Sequence, residues 1–276
     1  MARWDKLGGI GNIEDRRGAG AVLGGGVTVV GIIITLALNY FGINVDPALV
    51  DRVINTTQSN QQESGEFAGE DPYEQFVSRV LGSTDEYWQQ ELQSQGVSYP
   101  KPRLVLFREA TQSQCGMATL QVGPHYCPPD QTIYLDERFF DVLISELDAQ
   151  GGETAQAYVI AHEVGHHVQQ VNGTMAKVMN DPGYRQTGEN SLSVRLELQA
   201  DCYAGLWAYA VNEQGIFEPG DIDQAIDAAE KVGDDYIQSQ TGQSVNPETW
   251  THGSSAERKA AFQKGFSSGS YEQCRL

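Results

Sequence analysis

The stretch AHEVGHHVQQ (Ala161–Gln170) sets two histidines four residues apart, with a glutamate directly after the first. On an α-helix residues i and i+4 share a face, so His162 and His166 can offer two imidazoles to one ion. Zinc accepts imidazole nitrogen at about 2.0–2.1 Å, and a hydrolytic zinc site holds three protein ligands plus a water. Glu163 then stands where a general base for that water is needed. Ala155, Ala157, Tyr158, Val159, Ile160, Ala161 and Val164 surround the motif, so the helix is read as largely buried, and buried histidines need partners. His167 lies about 100° round the helix from His166 and is read as a structural or supporting residue.

The third ligand is expected from a second helix, and RLELQADCYAGLWA (Arg195–Ala208) offers it. Glu197 and Asp201 are again four apart, among Leu196, Leu198, Ala200, Cys202, Tyr203, Leu206 and Trp207. Two carboxylates buried on one face repel unless a cation or donors hold them. Glu197 is assigned as the ligand, with Asp201 accepting the N–H of a ligand histidine and fixing its tautomer; Glu189 is the fallback ligand. An oxyanion that develops opposite the metal needs a donor. His252, just before a helix that Ser254 or Ser255 and Glu257 would cap, is the first candidate, ahead of Tyr203, Tyr271 and Arg258. His125, beside Pro124 and Cys127, is read as a loop residue.

Around these helices the pattern is α+β: a small sheet with a mostly helical core. RLVLF (Arg103–Phe107), MATLQV (Met117–Val122) and TIYLD (Thr132–Asp136) are short β-rich runs between turn residues. Residues 72–96 carry apolar residues at helical spacing broken at Gly82, which predicts two short helices. Helices are further expected over Glu137–Ala149, Glu153–Val171, Ser191–Glu213 and Asp221–Ser239, with a last one from Ser254.

The formal net charge of -19 over 276 residues repels phosphate backbones, so nucleic acid is not expected as a partner. Between Arg17 and Asp46 no residue is charged, a stretch long enough to cross a bilayer. It predicts a transmembrane anchor over residues 20–42. Arg3, Lys6, Arg16 and Arg17 precede it, so residues 1–19 are expected as a cytoplasmic arm. A flexible tether over residues 43–71 would lead to an extracytoplasmic domain over residues 72–276. The cysteines Cys115, Cys127, Cys202 and Cys274 suit two disulfides in an oxidising compartment. Pairing Cys115 with Cys127 would close a short loop, and pairing Cys202 with Cys274 would tie down the chain end; sequence leaves other pairings open.

NIEDRRG (Asn12–Gly18), SQCGMA (Ser113–Ala118), VGPHYCPPDQTIYLD (Val122–Asp136), AQAYVIAHEVGHHVQ (Ala155–Gln169), SLSVRLELQADCYAGLWA (Ser191–Ala208), PGDIDQAIDAA (Pro219–Ala229) and THGSSAER (Thr251–Arg258) together resemble the bacterial family described as "putative neutral zinc metallopeptidase". The resemblance runs from the N-terminal arm to the last cysteine. It implies a membrane-anchored metalloprotein of zincin type with one zinc ion, ligands His162, His166 and Glu197, catalytic Glu163 and Asp201 as helper. His125 and Ala261 depart from its pattern, standing where aromatic residues are usual. The expected activity is a zinc endopeptidase acting on protein or peptide substrates outside the cytoplasm. Its rival is a zinc-stabilised scaffold without turnover, which would need no Glu163. By analogy with zincins, TIYLD is expected as the sheet edge along which a substrate strand lies.

Overall fold

The computed structural model describes residues 1–17, 65–66 and 71–276. It has a five-stranded sheet ordered β2-β1-β3-β7-β6, with strands β1 (Asn12–Asp15), β2 (Gly65–Glu66), β3 (Arg103–Phe107), β6 (His125–Cys127) and β7 (Thr132–Asp136). The run β1, β3, β7 is parallel, and β2 and β6 close it antiparallel. β7 is buried along its whole length, as befits a strand covered on both faces. A separate hairpin, β4 (Ala110–Ser113) with β5 (Gly116–Thr119), takes the place of the expected MATLQV strand. TIYLD is not the sheet edge: β7 is hydrogen-bonded by β3 on one side and β6 on the other. The edge is β6, which makes His125 a strand residue rather than a loop residue.

Eight α-helices are described: α1 (Pro72–Ser94), α2 (Phe139–Ser145), α3 (Glu153–Val171), α4 (Thr174–Met179), α5 (Leu192–Glu213), α6 (Asp221–Lys231), α7 (Asp234–Gln240) and α8 (Ser255–Ser268). The Asp71 side chain accepts from Tyr73 N–H at 2.9 Å and Pro72 follows, a strong start for α1. α1 runs unbroken through Gly82, contrary to the sequence expectation. A Cβ at Gly82 would lie 2.7 Å from Gly9 C and Ile10 N, so this glycine admits the N-terminal arm rather than ending a helix. Conversely, the expected helix over Asp221–Ser239 breaks at Gly233, where a Cβ would lie 2.2 Å from Ser255 N. Ser254 and Glu257 form the expected capping box of α8.

Residues 1–17 belong to this same folded body. Trp4 is buried, edge-on to Phe76 and Phe217 and stacked over Trp207. Asn12–Asp15 pair in register with Arg103–Leu106, and Gly11 N–H donates to Ser78 O at 3.0 Å. Arg17 binds Asp15, Asp71 and Glu137 at 2.9, 2.6 and 2.7 Å. Sheet pairing and core burial therefore make residues 1–17 part of the same folded body as residues 71–276 rather than a separate arm. The anchor over residues 20–42 lies outside the described residues, as does the tether over 43–71 except for β2 and Asp71. Among the described residues no helix is long and apolar enough to cross a membrane.

Candidate metal centre

α3 and α5 meet through small residues. Gly165, in the middle of the His-Glu-x-x-His turn, faces Ala200: a Cβ there would lie 3.0 Å from Ala200 Cα and O. That close approach brings the two polar faces together. His162 Nε2 lies 3.2 Å from Glu197 Oε2, and His166 Nε2 lies 3.4 Å from Glu197 Oε1. Among the described residues His162, His166 and Glu197 form a group able to hold a metal ion, with ligand atoms all within 4.8 Å of one another. Glu189 stands exposed in the preceding loop, outside that group.

The opposite ring nitrogens are tied down, which frees the converging ones for a metal. His162 Nδ1 donates to Asp201 Oδ1 at 2.7 Å. His166 Nδ1 donates to Gln169 Oε1 at 2.9 Å, and Gln169 Nε2 is spent on Leu196 O and Gln199 Oε1, which fixes its amide orientation. Since Asp201 and Gln169 present acceptors, the neutral form of each histidine carries its proton on Nδ1 and keeps the Nε2 lone pair. Burial disfavours a charged His162, yet Asp201 and Glu197 outweigh it and raise the imidazole to about 10. Burial likewise opposes charge on Glu197, but His166 and His162 hold it well below the carboxylate range. Both shifts belong to the metal-free pair, in which the proton between His162 and Glu197 stands where a cation would bind, so a metal would displace it.

Glu163 is 6% exposed and lies close enough for its charge to act on His166. His167 turns away: Nε2 donates to Pro100 O at 2.6 Å, and Nδ1 accepts from Tyr126 O–H at 2.9 Å. Burial lowers it to about 4, leaving a neutral imidazole that pins β6 to α3.

His252 is exposed in the turn before α8. The N–H groups of Thr251, His252 and Gly253 converge on Asp234 Oδ2 at 2.8, 2.7 and 3.0 Å, and His252 Nδ1 lies 3.2 Å from Asp234 Oδ1. The Asp234 hydrogen bond raises this imidazole against burial, with Glu197 adding to the effect. Gly253 packs beside Val194 and Leu198, the residues flanking Glu197 on α5. Of the other oxyanion candidates, Tyr203 and Tyr271 stack on each other in the core. Arg258 is buried behind Asp201, with its Nε 2.9 Å from Asp201 Oδ2.

Sequence reasoning missed Gln169 and Tyr158 and misplaced Arg258. Gln169 was visible at i+3 from His166, and Tyr158 at i−4 from His162, each on the face its partner uses. Arg258 shows no such local spacing to α5. Both disulfides are present, Cys115–Cys127 and Cys202–Cys274, with Cα separations of 5.8 and 5.6 Å.

An α+β chain with a His-Glu-x-x-His helix crossed by a helix that brings a carboxylate beside the two imidazoles is of a class able to hold a metal ion. It belongs to the family described as "Putative neutral zinc metallopeptidase", whose sequence model matches residues 2–276. The chain is similar to the uncharacterized protein YpfJ of Escherichia coli (strain K12), at 38% identity over 284 residues covering 99% of this chain and 97% of the relative. It is also similar to the uncharacterized protein Rv2575 of Mycobacterium tuberculosis (strain ATCC 25618 / H37Rv), at 43% identity over 186 residues covering 64% of this chain and 62% of that protein. No solved structure matches the chain.

Proposed function

We propose that this protein is a zincin-type zinc endopeptidase, hydrolysing peptide bonds of extracytoplasmic proteins. The observation that carries the reading is the convergence of His162 Nε2, His166 Nε2 and the Glu197 carboxylate within 4.8 Å, while each histidine's Nδ1 is held by an acceptor. Bound there, zinc would supply Lewis acidity toward a water and a substrate carbonyl. Glu163 takes the proton from the attacking water at its carboxylate and passes it to the leaving amine. His252, held through Nδ1 beside Asp234, presents Nε2 as the donor for the developing oxyanion. The free edge of β6, pinned to α3 through Tyr126 and His167, suits an extended substrate added as a strand.

Two disulfides support an extracytoplasmic site of action, and the uncharged run over residues 20–42 supports attachment to the cell membrane. Because residues 1–17 pack with residues 71–276 as one body, we infer that both face one compartment. Compartment reporters fused at the two ends should agree, and reports from opposite sides would contradict this arrangement.

The test of activity is cleavage of a diverse peptide library, followed by mass spectrometry, with the full-length chain, because a fragment beginning at Pro72 would lose β1 and Trp4. Cleavage by wild type that disappears in Glu163→Gln, with zinc retained, supports the peptidase. Zinc-loaded wild type that leaves the library intact favours the scaffold without turnover, and equal cleavage by Glu163→Gln removes the general base.

A further inference from the structure

A buried charged side chain reaches the metal centre from α8 rather than from either of its two helices. Arg258 is 4% exposed, and Asp201 opposite it is 0% exposed. Arg258 Nε donates to Asp201 Oδ2 at 2.9 Å and Nη2 to Asp201 Oδ1 at 3.0 Å, the two-pronged geometry in which a guanidinium fixes the plane of a carboxylate. Nη1 donates to Val232 O at 3.1 Å, which anchors the fork to the end of α6. Nη2 also reaches Tyr158 Oη at 3.3 Å, and the Tyr158 hydroxyl donates onward to Asp201 Oδ1 at 2.6 Å. Asp201 Oδ1 is the atom that accepts from His162 Nδ1 at 2.7 Å.

These contacts form a chain from α8 to the candidate ligand. A carboxylate with a single donor can rotate about its last torsion; one gripped on both oxygens by a guanidinium and on one by a phenol cannot. Two glycines make the grip possible. At Gly205 on α5 a Cβ would lie 2.1 Å from Phe262 O, and at Gly265 on α8 a Cβ would lie 2.0 Å from Cys202 O. The two helices therefore touch backbone to backbone one turn from Asp201.

We propose that Arg258, together with Tyr158, is a positioning residue of the metal centre: it orients Asp201 so that Oδ1 captures the Nδ1 proton of His162 and Nε2 is left facing His166 and Glu197. The inference rests on the metal reading of His162, His166 and Glu197. A residue that merely filled space or neutralised a buried carboxylate would alter stability without governing which nitrogen of His162 carries the proton.

The experiment measures zinc affinity of the full-length chain by competition with a fluorescent chelator, for wild type, Arg258→Met, Arg258→Lys, Tyr158→Phe, Asp201→Asn and the Asp201→Asn/Arg258→Met pair. The tautomer of His162 is read in parallel from its ring ¹⁵N shifts by NMR. Arg258→Met should bind zinc about 10- to 100-fold more weakly, the range for loss of a partner behind a ligand, with the Nε2-protonated tautomer appearing at His162. Arg258→Lys, which keeps the charge without the fork, should fall between Arg258→Met and wild type. Tyr158→Phe should shift the tautomer in the same direction and gives the readout if Arg258→Met does not fold. In the Asp201→Asn background Arg258→Met should add little, because the residue acts through Asp201. Wild type and all Arg258 and Tyr158 variants binding zinc alike, with His162 unchanged, overturns this inference alone. Wild type failing to bind zinc overturns the metal reading and this inference with it.

Discussion

At the scale of single residues, most polar groups around the metal centre are held by named partners, and one buried group elsewhere that lacks a full set makes a prediction. Asp85 on α1 is 0% exposed; Tyr99 O–H donates to its Oδ1 at 3.0 Å, while Oδ2 has no hydrogen-bond partner among the described residues. Burial pushes its carboxyl up to about 7, with Tyr99 and Lys101 opposing. A carboxyl raised above its unfolded value of about 3.9 favours folding while protonated. Its contribution is complete below that value and is lost as pH rises through about 7. Asp85→Asn keeps an acceptor for Tyr99 and has no proton to lose. Its stability relative to wild type should therefore rise between pH 5 and pH 8 by about 2–3 kcal/mol, measured by denaturant unfolding at both pH values; a constant difference contradicts the buried acid. At this scale the sequence was most legible for His162, His166, Glu197 and Asp201, because each pair shares a helical face at i and i+4. Arg258 was read only as a weaker oxyanion candidate, since its distance to Asp201 depends on how α8 crosses α5.

At the scale of elements, glycines decide the spacing. Sequence patterning located α3 and the body of α5 closely, because their apolar periodicity is long and uninterrupted. It misread Gly82 as a break and passed over Gly233, since a glycine that admits a neighbouring backbone and one that ends a helix look alike in one dimension. Strand β1 was missed for a related reason: NIED has one apolar residue, and its place beside β3 is set by pairing across 91 positions of chain, from Asn12 to Arg103. The crossing of α5 and α8 is the sharpest case. Gly205→Ala would gain helix propensity of up to about 1 kcal/mol, but its Cβ would lie 2.1 Å from Phe262 O. Parting the helices should leave a net loss of about 2–3 kcal/mol. A thermal melt shows it directly, and a variant melting at or above wild type would contradict the backbone contact.

At the scale of the whole molecule, the chain ends are stapled to the site. Cys202 follows Asp201 on α5, and its bond to Cys274 closes a loop with a sequence separation of 72, worth about 4 kcal/mol in the chain-entropy account. Gln199 Nε2 donates to Cys274 O at 2.9 Å, and Gln199 in turn accepts from Gln169, which holds His166. The N-terminal arm is stapled by pairing instead, through β1 and Trp4. Length and charge led to the expectation of one sizeable domain without a nucleic-acid partner. They did not show that residues 1–17 are part of that domain, because an apolar stretch between two segments reads as a divider whatever the segments do in space.

The central claim is that His162, His166 and Glu197 hold one zinc ion. The most direct measurement is the zinc content of the purified full-length chain by elemental analysis, beside Glu197→Ala and Glu163→Gln. One zinc per wild-type chain, retained in Glu163→Gln and strongly reduced in Glu197→Ala, is the predicted result. Wild-type zinc content in Glu197→Ala would contradict the claim.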